Sequence, residues 1–277
     1  MKHEEGYFDG AHGAKTYWAA WLPDGEVKAV LVVVHGVAEH IGRYMNVVNH
    51  FVPKGYAVYG LDHYGHGKTA GTRVFIESFD DVLGPLKTYV NMVKGWQPGK
   101  PMFMIGHSMG GLITATYLTE NQAGLKGAVL SGPLVKFGSD ITPAVVAIGR
   151  ILSAIAPKAG IMALDLTSIS KDPAVIKASA EDPLVWHGKI TARLGASMLG
   201  AIQALPQKAA NISLPVLFVQ GGSDRLVEPS GVEFLAGKIS SKDKTVKVYP
   251  GLFHEVFNEP EREMVLGDVE AWLEKHL

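Results

Sequence analysis

The chain has 277 residues, of which 26 are basic and 27 are acidic, so its formal net charge is −1. This length allows one large α/β domain with an insertion or two small domains, and the balanced charge excludes a general attraction to nucleic acid or anionic membranes. Because cysteine is absent, disulfides, thiolate metal sites and a cysteine nucleophile are also excluded. Residues 1–5 carry acidic side chains and no apolar segment, so we expect no secretory signal peptide and, by default, a cytoplasmic enzyme.

The N-terminal part of the chain predicts strands and helices in alternation. Residues 16–21 alternate bulky and small side chains before a turn at Pro23, which predicts a peripheral hairpin strand. The β-branched run 29–34 predicts a central parallel strand, and a second strand is predicted at 56–61. Between these two strands, apolar residues at helical spacing predict a helix that ends near Pro53.

The same alternation continues along the chain. Ser78 is predicted to cap a helix whose apolar positions keep the 3.6-residue period from Phe79 to Val93. Buried strands are then predicted at residues 102–105, 127–131 and 215–220, and a last strand is predicted at residues 245–249. Strands that alternate with helices predict a mostly parallel sheet with right-handed crossovers, in which functional groups lie at the carboxyl ends of the strands.

An insertion interrupts this alternation. The interval between Gly132 and Leu214 is too long for a simple connection and has helical patterns of its own. We therefore predict a core formed by residues 1–132 and 214–277, with residues 133–213 inserted as a helical cap.

Two helices are predicted inside this cap. Thr142 and Pro143 supply the N-cap and the first-turn proline of a helix that extends to Ala156 and is apolar on nearly every side. This helix is shorter than the roughly 20 apolar residues that span a membrane. Further on, apolar positions from Ile190 to Leu205 form a stripe, which predicts a second helix packed on the core.

The segment Gly106-His107-Ser108-Met109-Gly110 matches the pattern G-x-S-x-G between a predicted strand and an amphipathic segment. In that context the pattern predicts a nucleophile elbow, a tight turn that holds the serine in strained backbone geometry and needs glycine on both sides. Ser108 would then lie at the start of a helix, where backbone N–H groups can stabilise an oxyanion. A match of five residues also arises by chance, so the hypothesis needs a base, an acid and a second oxyanion donor.

Candidates for the acid and the base follow later strands. A serine hydroxyl needs an imidazole to take its proton and a carboxylate to fix the tautomer of that imidazole. Asp224 and His254 each follow a predicted strand, which gives the order Ser108, Asp224, His254 that is typical of α/β-hydrolases. Taken singly, Asp224 could be a turn residue or a helix cap, and His254 an ordinary loop histidine. Their joint order at the expected strand ends favours catalysis.

A second oxyanion donor is predicted at the end of the first central strand. Gly36 lets the backbone turn there, so that the N–H of Val37 can point at the substrate oxygen together with the N–H of Met109. Removal of one such donor typically lowers the rate about 100- to 1,000-fold. We assign His35 a structural role, and we do not expect His107 to be the base because side chains adjacent at the elbow diverge.

Four segments resemble the monoacylglycerol lipase family: HGVAEHIGRY (35–44), LDHYGHG (61–67), GHSMGG (106–111) and YPGLFHE (249–255). The likeness covers almost the whole chain, and the first segment is more diagnostic than the elbow, which all α/β-hydrolases share. The resemblance implies an α/β-hydrolase fold, with a mostly parallel central sheet flanked by helices and an inserted helical cap or lid. It also implies a serine esterase that hydrolyses monoacylglycerol to free fatty acid and glycerol, without a cofactor or a metal.

For the site, the resemblance implies Ser108 as nucleophile, Asp224 as orienting acid and His254 as base, with an oxyanion hole formed by the N–H groups of Val37 and Met109. Family members often have glycine where this chain has Ala38, and many have arginine where it has Tyr64. Both departures leave the predicted triad intact and concern the shape of the head-group pocket.

Glu39 and Arg43 follow the oxyanion turn, and in the family this pair lies near the polar pocket that handles glycerol. The resemblance therefore implies that both residues bind substrate. The alternative is an (i, i+4) ion pair that only steadies the start of a helix and stabilises it by about 0.2–0.5 kcal/mol. The sequence leaves both interpretations open.

Other functions remain open on the same scaffold. A lysophospholipase or a general carboxylesterase would use the same triad on a different head group, and perhydrolase or carbon–carbon bond hydrolase chemistry is also compatible with the fold. A non-enzymatic binding protein is disfavoured because it need not keep nucleophile, acid, base and oxyanion turn together.

The first cap helix predicts a contact with lipid. Its apolar residues surround the helix and cannot all face the core, and an exposed apolar patch commonly marks a binding surface. We therefore expect the cap to touch a lipid interface transiently, with Val146 and Ile148 as test positions. A peripheral location at membrane or lipid surfaces is compatible with this expectation, and no nucleic-acid partner is expected.

Overall fold

An eight-stranded sheet forms the centre of the molecule in a computed structural model that describes residues 1–136 and 142–277. In chain order the strands are β1 (Lys2–Asp9), β2 (Lys15–Leu22), β3 (Ala29–Val34), β4 (Tyr56–Leu61), β5 (Met102–His107), β6 (Gly127–Ser131), β7 (Gly160–Ala163), β8 (Lys189–Thr191), β9 (Val216–Gly221) and β10 (Lys244–Tyr249). The large sheet has the order β1-β2-β4-β3-β5-β6-β9-β10, while β7 and β8 pair separately. Its first two pairs are antiparallel and the others are parallel.

Helices flank this sheet and connect its parallel strands. In the described part of the chain they are α1 (Met45–Phe51), α2 (Asp80–Trp96), α3 (Met109–Leu118), α4 (Pro143–Ile155), α5 (Pro173–Glu181), α6 (Ala192–Lys208), α7 (Gly231–Ala236) and α8 (Arg262–Lys275). The helices α4, α5 and α6 and the strands β7 and β8 lie between β6 and β9 in sequence, within the interval 133–213 for which the sequence predicts an inserted cap. The mostly parallel sheet and its flanking helices confirm the predicted α/β-hydrolase fold class.

The central strands are covered on both faces. In β3, Val30 and Val32 belong to one hydrophobic cluster, whereas Leu31 and Val33 belong to the cluster on the opposite face. This division follows from the two-residue period of a strand. Burial of each such side chain stabilises the fold by about 1.5–3 kcal/mol before conformational entropy is counted.

The strand at residues 16–21 is confirmed as a hairpin strand, but its predicted peripheral position needs a correction. This strand, β2, pairs with both β1 and β4, so it lies inside the sheet and β1 forms the edge. The sequence of β1 is mostly polar and its side chains are exposed or half-buried. Because this edge strand has no apolar run, its sequence does not predict a strand.

The predicted start of α2 was also wrong. The helix begins at Asp80, and its N-cap position is Phe79 rather than Ser78. Ser78 does not accept the capping bond; instead, the carboxylate of Asp81 accepts hydrogen bonds from the backbone N–H groups of Glu77 and Ser78, at 2.7 and 3.3 Å. A carboxylate in the first turn therefore satisfies the donors that precede the helix.

The insertion contains both predicted helices. Thr142 Oγ1 accepts a hydrogen bond from the N–H of Val145, so the predicted N-cap of α4 is confirmed. Ile190 lies on β8 rather than on α6, which begins at Ala192. The later stripe residues of α6 are buried as predicted: Leu194, Met198, Leu199, Ile202 and Leu205. Within the described residues, no helix is both long and apolar enough to span a bilayer.

The parallel strands bring the predicted site residues to one edge of the sheet. His35 directly follows β3, Ser108 follows β5, and Asp224 lies three residues beyond β9. His254 lies in the loop between β10 and α8. This arrangement agrees with the rule that ligands of parallel sheets bind at the carboxyl ends of the strands.

Candidate active site

Ser108 lies on a strained turn between β5 and α3. Its backbone has φ 54° and ψ −120°, a region that residues with a side chain rarely adopt. A Cβ atom at Gly110 would lie 2.0 Å from the carbonyl oxygen of Val34, and one at Gly106 would lie 2.4 Å from Thr114 Oγ1. The absence of a side chain at Gly110 therefore lets the elbow approach β3. Its absence at Gly106 lets α3 pack closely against the end of β5.

Two backbone N–H groups lie next to this serine. Met109 is the first residue of α3, and Val37 belongs to the turn after β3. A Cβ atom at Gly36 would lie 3.2 Å from Ser108 Cβ, so the turn touches the nucleophile elbow. Within residues 1–136 and 142–277, no hydrogen bond occupies the N–H of Val37 or of Met109. Both donors are available for a substrate oxygen.

The turn that carries Val37 has an unusual backbone at its next residue. Ala38 has φ 64°, in the left-handed region that favours glycine. Its carbonyl oxygen accepts a 2.8 Å hydrogen bond from the N–H of Trp186 in the insertion. The departure from glycine noted in the sequence therefore places strain in the turn after β3, and the hydrogen bond from Trp186 holds this turn in place.

Asp224 and His254 form a buried pair. His254 Nδ1 lies 2.7 Å from Asp224 Oδ2, and because a carboxylate only accepts, the ring donates. Asp224 Oδ1 also accepts from the N–H groups of Leu226 and Val227, and Gln220 Nε2 donates to Oδ2 over 2.9 Å. Asp224 is therefore a fixed acceptor that leaves Nε2 of His254 as the basic nitrogen.

The electrostatics of the pair agree with this tautomer. Burial alone would lower the pKa of His254, but the charge and hydrogen bond of Asp224 outweigh it, so the net pKa is raised. Burial would likewise raise the pKa of Asp224, but the charge and hydrogen bond of His254 lower it on balance. The pair can therefore stabilise a protonated His254.

His107 lies beside the Asp224–His254 pair, but its ring nitrogen contacts the backbone of Ser131 instead of either member of the pair. Its ring centroid is 4.6 Å from that of His254, and its Nδ1 lies 3.1 Å from the carbonyl oxygen of Ser131. Burial and the neighbouring His254 lower its pKa to about 4. In the described part of the chain, no hydrogen bond joins Ser108 Oγ to His254 Nε2, a contact that in serine hydrolases often tightens only when substrate binds.

One cavity of about 390 Å³ contains all three residues of the predicted triad, Ser108, Asp224 and His254. Most of its other lining residues are apolar, and about half of them come from residues 133–213. The apolar insertion residues that line it include Met162, Leu164, Leu166, Ile169, Val185 and Met198. Such a chamber can hold an apolar chain with its polar end at Ser108.

Glu39 and Arg43 also line this cavity. Arg43 Nη1 donates to Glu39 Oε2 over 2.9 Å, which is the (i, i+4) pair considered from the sequence. The other oxygen of Glu39 accepts hydrogen bonds from the N–H of Gly36 and from Tyr44 Oη, at 2.6 and 2.7 Å. Sequence reasoning missed the third member, Glu255, whose carboxylate binds Arg43 through two hydrogen bonds. The only sequence feature that pointed to Glu255 was its position directly after His254.

Three buried histidines form a cluster at the start of the turn that follows β3. His35 Nε2 accepts a 2.9 Å hydrogen bond from the N–H of His63, which agrees with the structural role assigned to His35. The ring centroids of His35 lie 4.2 Å from His63 and 5.6 Å from His66. Burial lowers the pKa of all three, in the case of His66 to about 4. Within the described residues, no group of three His, Cys, Asp or Glu side chains has a geometry that suits a metal ion.

Comparison with known proteins gives consistent matches over nearly the full chain. A family profile described as serine aminopeptidase, S33 (Hydrolase_4) matches residues 25–261. The chain is 39% identical to a monoacylglycerol lipase of Mycolicibacterium smegmatis, over 98% of this chain and 96% of that protein. The crystal structure of Paleococcus ferrophilus monoacylglycerol lipase is similar with a TM-score of 0.85 and 29% identity, over 95% of this chain and 99% of that one. A monoglyceride lipase of Saccharomyces cerevisiae, solved with a substrate analog, is similar with a TM-score of 0.88 and 25% identity, over 98% and 94% of the two chains.

Proposed function

We propose that this chain, which belongs to the monoacylglycerol lipase family of the α/β-hydrolases, hydrolyses monoacylglycerol to free fatty acid and glycerol. Membership makes the protein a carboxylic ester hydrolase. The observation that carries the finer proposal is the buried Asp224–His254 hydrogen bond beside Ser108, in a cavity whose wall is mostly apolar. The cavity suits one acyl chain, and the buried pair suits activation of a serine.

In the proposed reaction, Ser108 Oγ attacks the ester carbonyl while His254 Nε2 takes its proton. The N–H groups of Val37 and Met109 stabilise the negative charge that appears on the carbonyl oxygen. The tetrahedral intermediate collapses, His254 returns the proton to the leaving glycerol oxygen, and the acyl group stays on Ser108. Water activated by the same imidazole then releases the fatty acid and restores the serine.

We further propose that residues 133–213 act as a cap that touches lipid through α4. Four aliphatic side chains of α4 are exposed, with 47–74% of their surface accessible: Val145, Ile148, Ile151 and Ile155. On β7, Ile161 and Met162 are also exposed. Monoacylglycerol is presented in micelles or bilayers, and an exposed apolar face can dock shallowly at such an interface.

Glu39 and Arg43 are the polar residues that bear on the choice of head group. Glu39 and Arg43 bring polar atoms to the cavity wall, which supports the sequence-based proposal that they contact glycerol. Their hydrogen bonds to Gly36, Tyr44 and Glu255 equally support a role in holding the site together. If the two residues contact glycerol, a substitution should affect glycerol esters most. If they hold the site together, it should affect all esters alike.

The proposal is tested by initial rates on one acyl chain attached to three leaving groups: glycerol, glycerophosphocholine and p-nitrophenol. We expect kcat/KM to be higher for the glycerol ester than for the glycerophosphocholine ester, with all turnover lost in Ser108→Ala. Faster turnover of the phosphocholine ester would instead assign a lysophospholipase. Similar values for all three leaving groups would assign a general carboxylesterase.

A further inference from the structure

Arg43 connects the oxyanion turn to the loop that carries His254. Its Nη1 donates to Glu39 Oε2 over 2.9 Å and to Glu255 Oε1 over 2.7 Å, and its Nη2 donates to Glu255 Oε2 over 2.9 Å. The side chains of Arg43, Glu39 and Glu255 are only 11%, 8% and 7% exposed. Planar, two-point pairs of this kind fix direction as well as distance.

Each end of this bridge holds a segment of the proposed reaction centre. At one end, Glu39 Oε1 accepts from the N–H of Gly36, the residue before the oxyanion donor Val37. At the other end, Glu255 directly follows His254, and its own N–H donates a 2.7 Å hydrogen bond to the carbonyl of Ile169 in the cap. A shift of Glu255 would therefore move the base relative to the oxyanion turn.

We propose that Arg43 and Glu255 are positioning residues that fix the general base His254 against the oxyanion turn. This inference rests on the proposed function, because it assigns the two residues a part in ester hydrolysis. The reaction needs the nucleophile, the base and the oxyanion donors in register at once, and a misplacement of about 1 Å can lower the rate about 100-fold. Neither residue needs to touch the substrate to have this effect.

The bridge also places charge beside the base. Two carboxylates meet one guanidinium, so the group carries an excess negative charge that favours protonated His254. The titratable groups that act on His254 are Asp224, Glu255 and Glu39, which favour its cation, and His107, whose ring lies against it. Glu255→Gln removes one carboxylate and leaves Arg43 paired with Glu39, so no buried charge is left without a partner.

The experiment compares Glu255→Gln and Arg43→Lys with a control, Glu261→Gln. Glu261 forms an exposed ion pair with Lys171 outside the cavity lining. Lysine keeps the charge of Arg43 but cannot form the two-point bond to Glu255. For each protein, kcat and KM are measured from pH 5 to 9 on a p-nitrophenyl ester and on a monoacylglycerol of the same chain length, together with the melting temperature.

In Glu255→Gln we expect kcat to fall about 10- to 100-fold on both substrates with KM nearly unchanged. The acid limb of its pH profile should move to lower pH by about half a unit, because the loss of an anion near His254 lowers the pKa of the imidazole. Arg43→Lys should lose a similar factor in kcat while its acid limb stays in place, and Glu261→Gln should match the wild type.

Two results would overturn the inference. A rise in KM on the monoacylglycerol alone would assign the residues to head-group binding. Losses that parallel the drop in melting temperature, with an unshifted acid limb in Glu255→Gln, would assign them to stability alone. Absence of ester hydrolysis in the wild type is a separate outcome, which would contradict the proposed function itself.

Discussion

His254 Nδ1 donates a 2.7 Å hydrogen bond to Asp224 Oδ2, and three further protein donors converge on the same carboxylate. Gln220 Nε2 donates to Oδ2 over 2.9 Å. The N–H groups of Leu226 and Val227 donate to Oδ1 over 2.9 and 3.1 Å. All four neighbours are donors, so the position is built for a group that only accepts.

Asp224→Asn is expected to lower kcat/KM on the order of 10⁴-fold, the size of the effect known for the same change in another serine hydrolase. In either orientation the NH2 group of the new asparagine would face another donor. His254 and Gln220 lie on one side of it, and two backbone N–H groups lie on the other. The control is Asp165→Asn, which changes an exposed carboxylate of the same cavity. A loss of less than tenfold would contradict the assignment and direct attention to Glu228.

The exposed face of α4 predicts a selective defect at lipid surfaces. Ile148 and Ile151 are 57% and 59% exposed, whereas Val146 is half-buried. Because burial of one aliphatic side chain is worth about 1.5–3 kcal/mol, Ile148→Asp or Ile151→Asp should weaken binding to monoolein vesicles severalfold or more. Melting temperature and turnover of a water-soluble short-chain ester should not change.

The matched control for these cap variants is Met264→Asp, since Met264 is 54% exposed on α8, outside the cap. It should leave vesicle binding intact. Val146→Asp should instead lower stability and both activities together, because part of its side chain is packed. Equal losses on both substrates in Ile148→Asp and Ile151→Asp would contradict the proposed contact with lipid.

The left-handed backbone at Ala38 predicts an unusual response to glycine. Ala→Gly in a helix interior usually lowers stability by about 0.5–1 kcal/mol, and Ala271→Gly in α8 should show this loss. At Ala38, with φ 64°, relief of strain should offset that loss, so the melting temperature should stay unchanged or rise. A drop as large as that of Ala271→Gly, measured by calorimetry, would show that the turn is unstrained.

The buried histidines predict loss of stability in acid. The pKa of His66 is lowered by burial to about 4 in the folded protein, against about 6.5 in an unfolded chain. Below pH 6.5 the unfolded state therefore binds the proton first, and the stability present above that pH falls by about 1.4 kcal/mol per unit for each such histidine. Thermal unfolding from pH 7 to 4.5 should show a shallower decline in His66→Asn than in the wild type. His187→Asn, at an exposed position, should decline like the wild type, and identical slopes in all three proteins would contradict this account.

The sequence was most informative at positions where the backbone packs so closely that only glycine fits. Gly106 and Gly110 flank Ser108 because a Cβ atom at either would meet neighbouring atoms at 2.4 Å or less. The motif could therefore be recognised, together with the strand before it and the helix after it. The alternation of β3 between two clusters followed in the same way from its continuous β-branched run.

The missed features depend on contacts that are distant in sequence. β1 is a polar edge strand that is defined by its pairing with β2 rather than by its own composition. Gln220 is an ordinary strand residue until the loop places Asp224 beside it. The bond between Arg43 and Glu255 spans 212 positions, so the sequence pointed to Glu255 only through its place next to His254 and did not indicate its partner.

The central claim is that Ser108 is the nucleophile of an ester hydrolase, and the most direct measurement is labelling with a fluorophosphonate followed by peptide mass spectrometry. We predict one adduct per chain, located on Ser108, with loss of monoacylglycerol hydrolysis in proportion to labelling. Ser108→Ala should take up no label and hydrolyse no ester while its circular dichroism spectrum is unchanged. An adduct at another residue, or a folded Ser108→Ala variant that keeps a large fraction of its activity, would contradict the account.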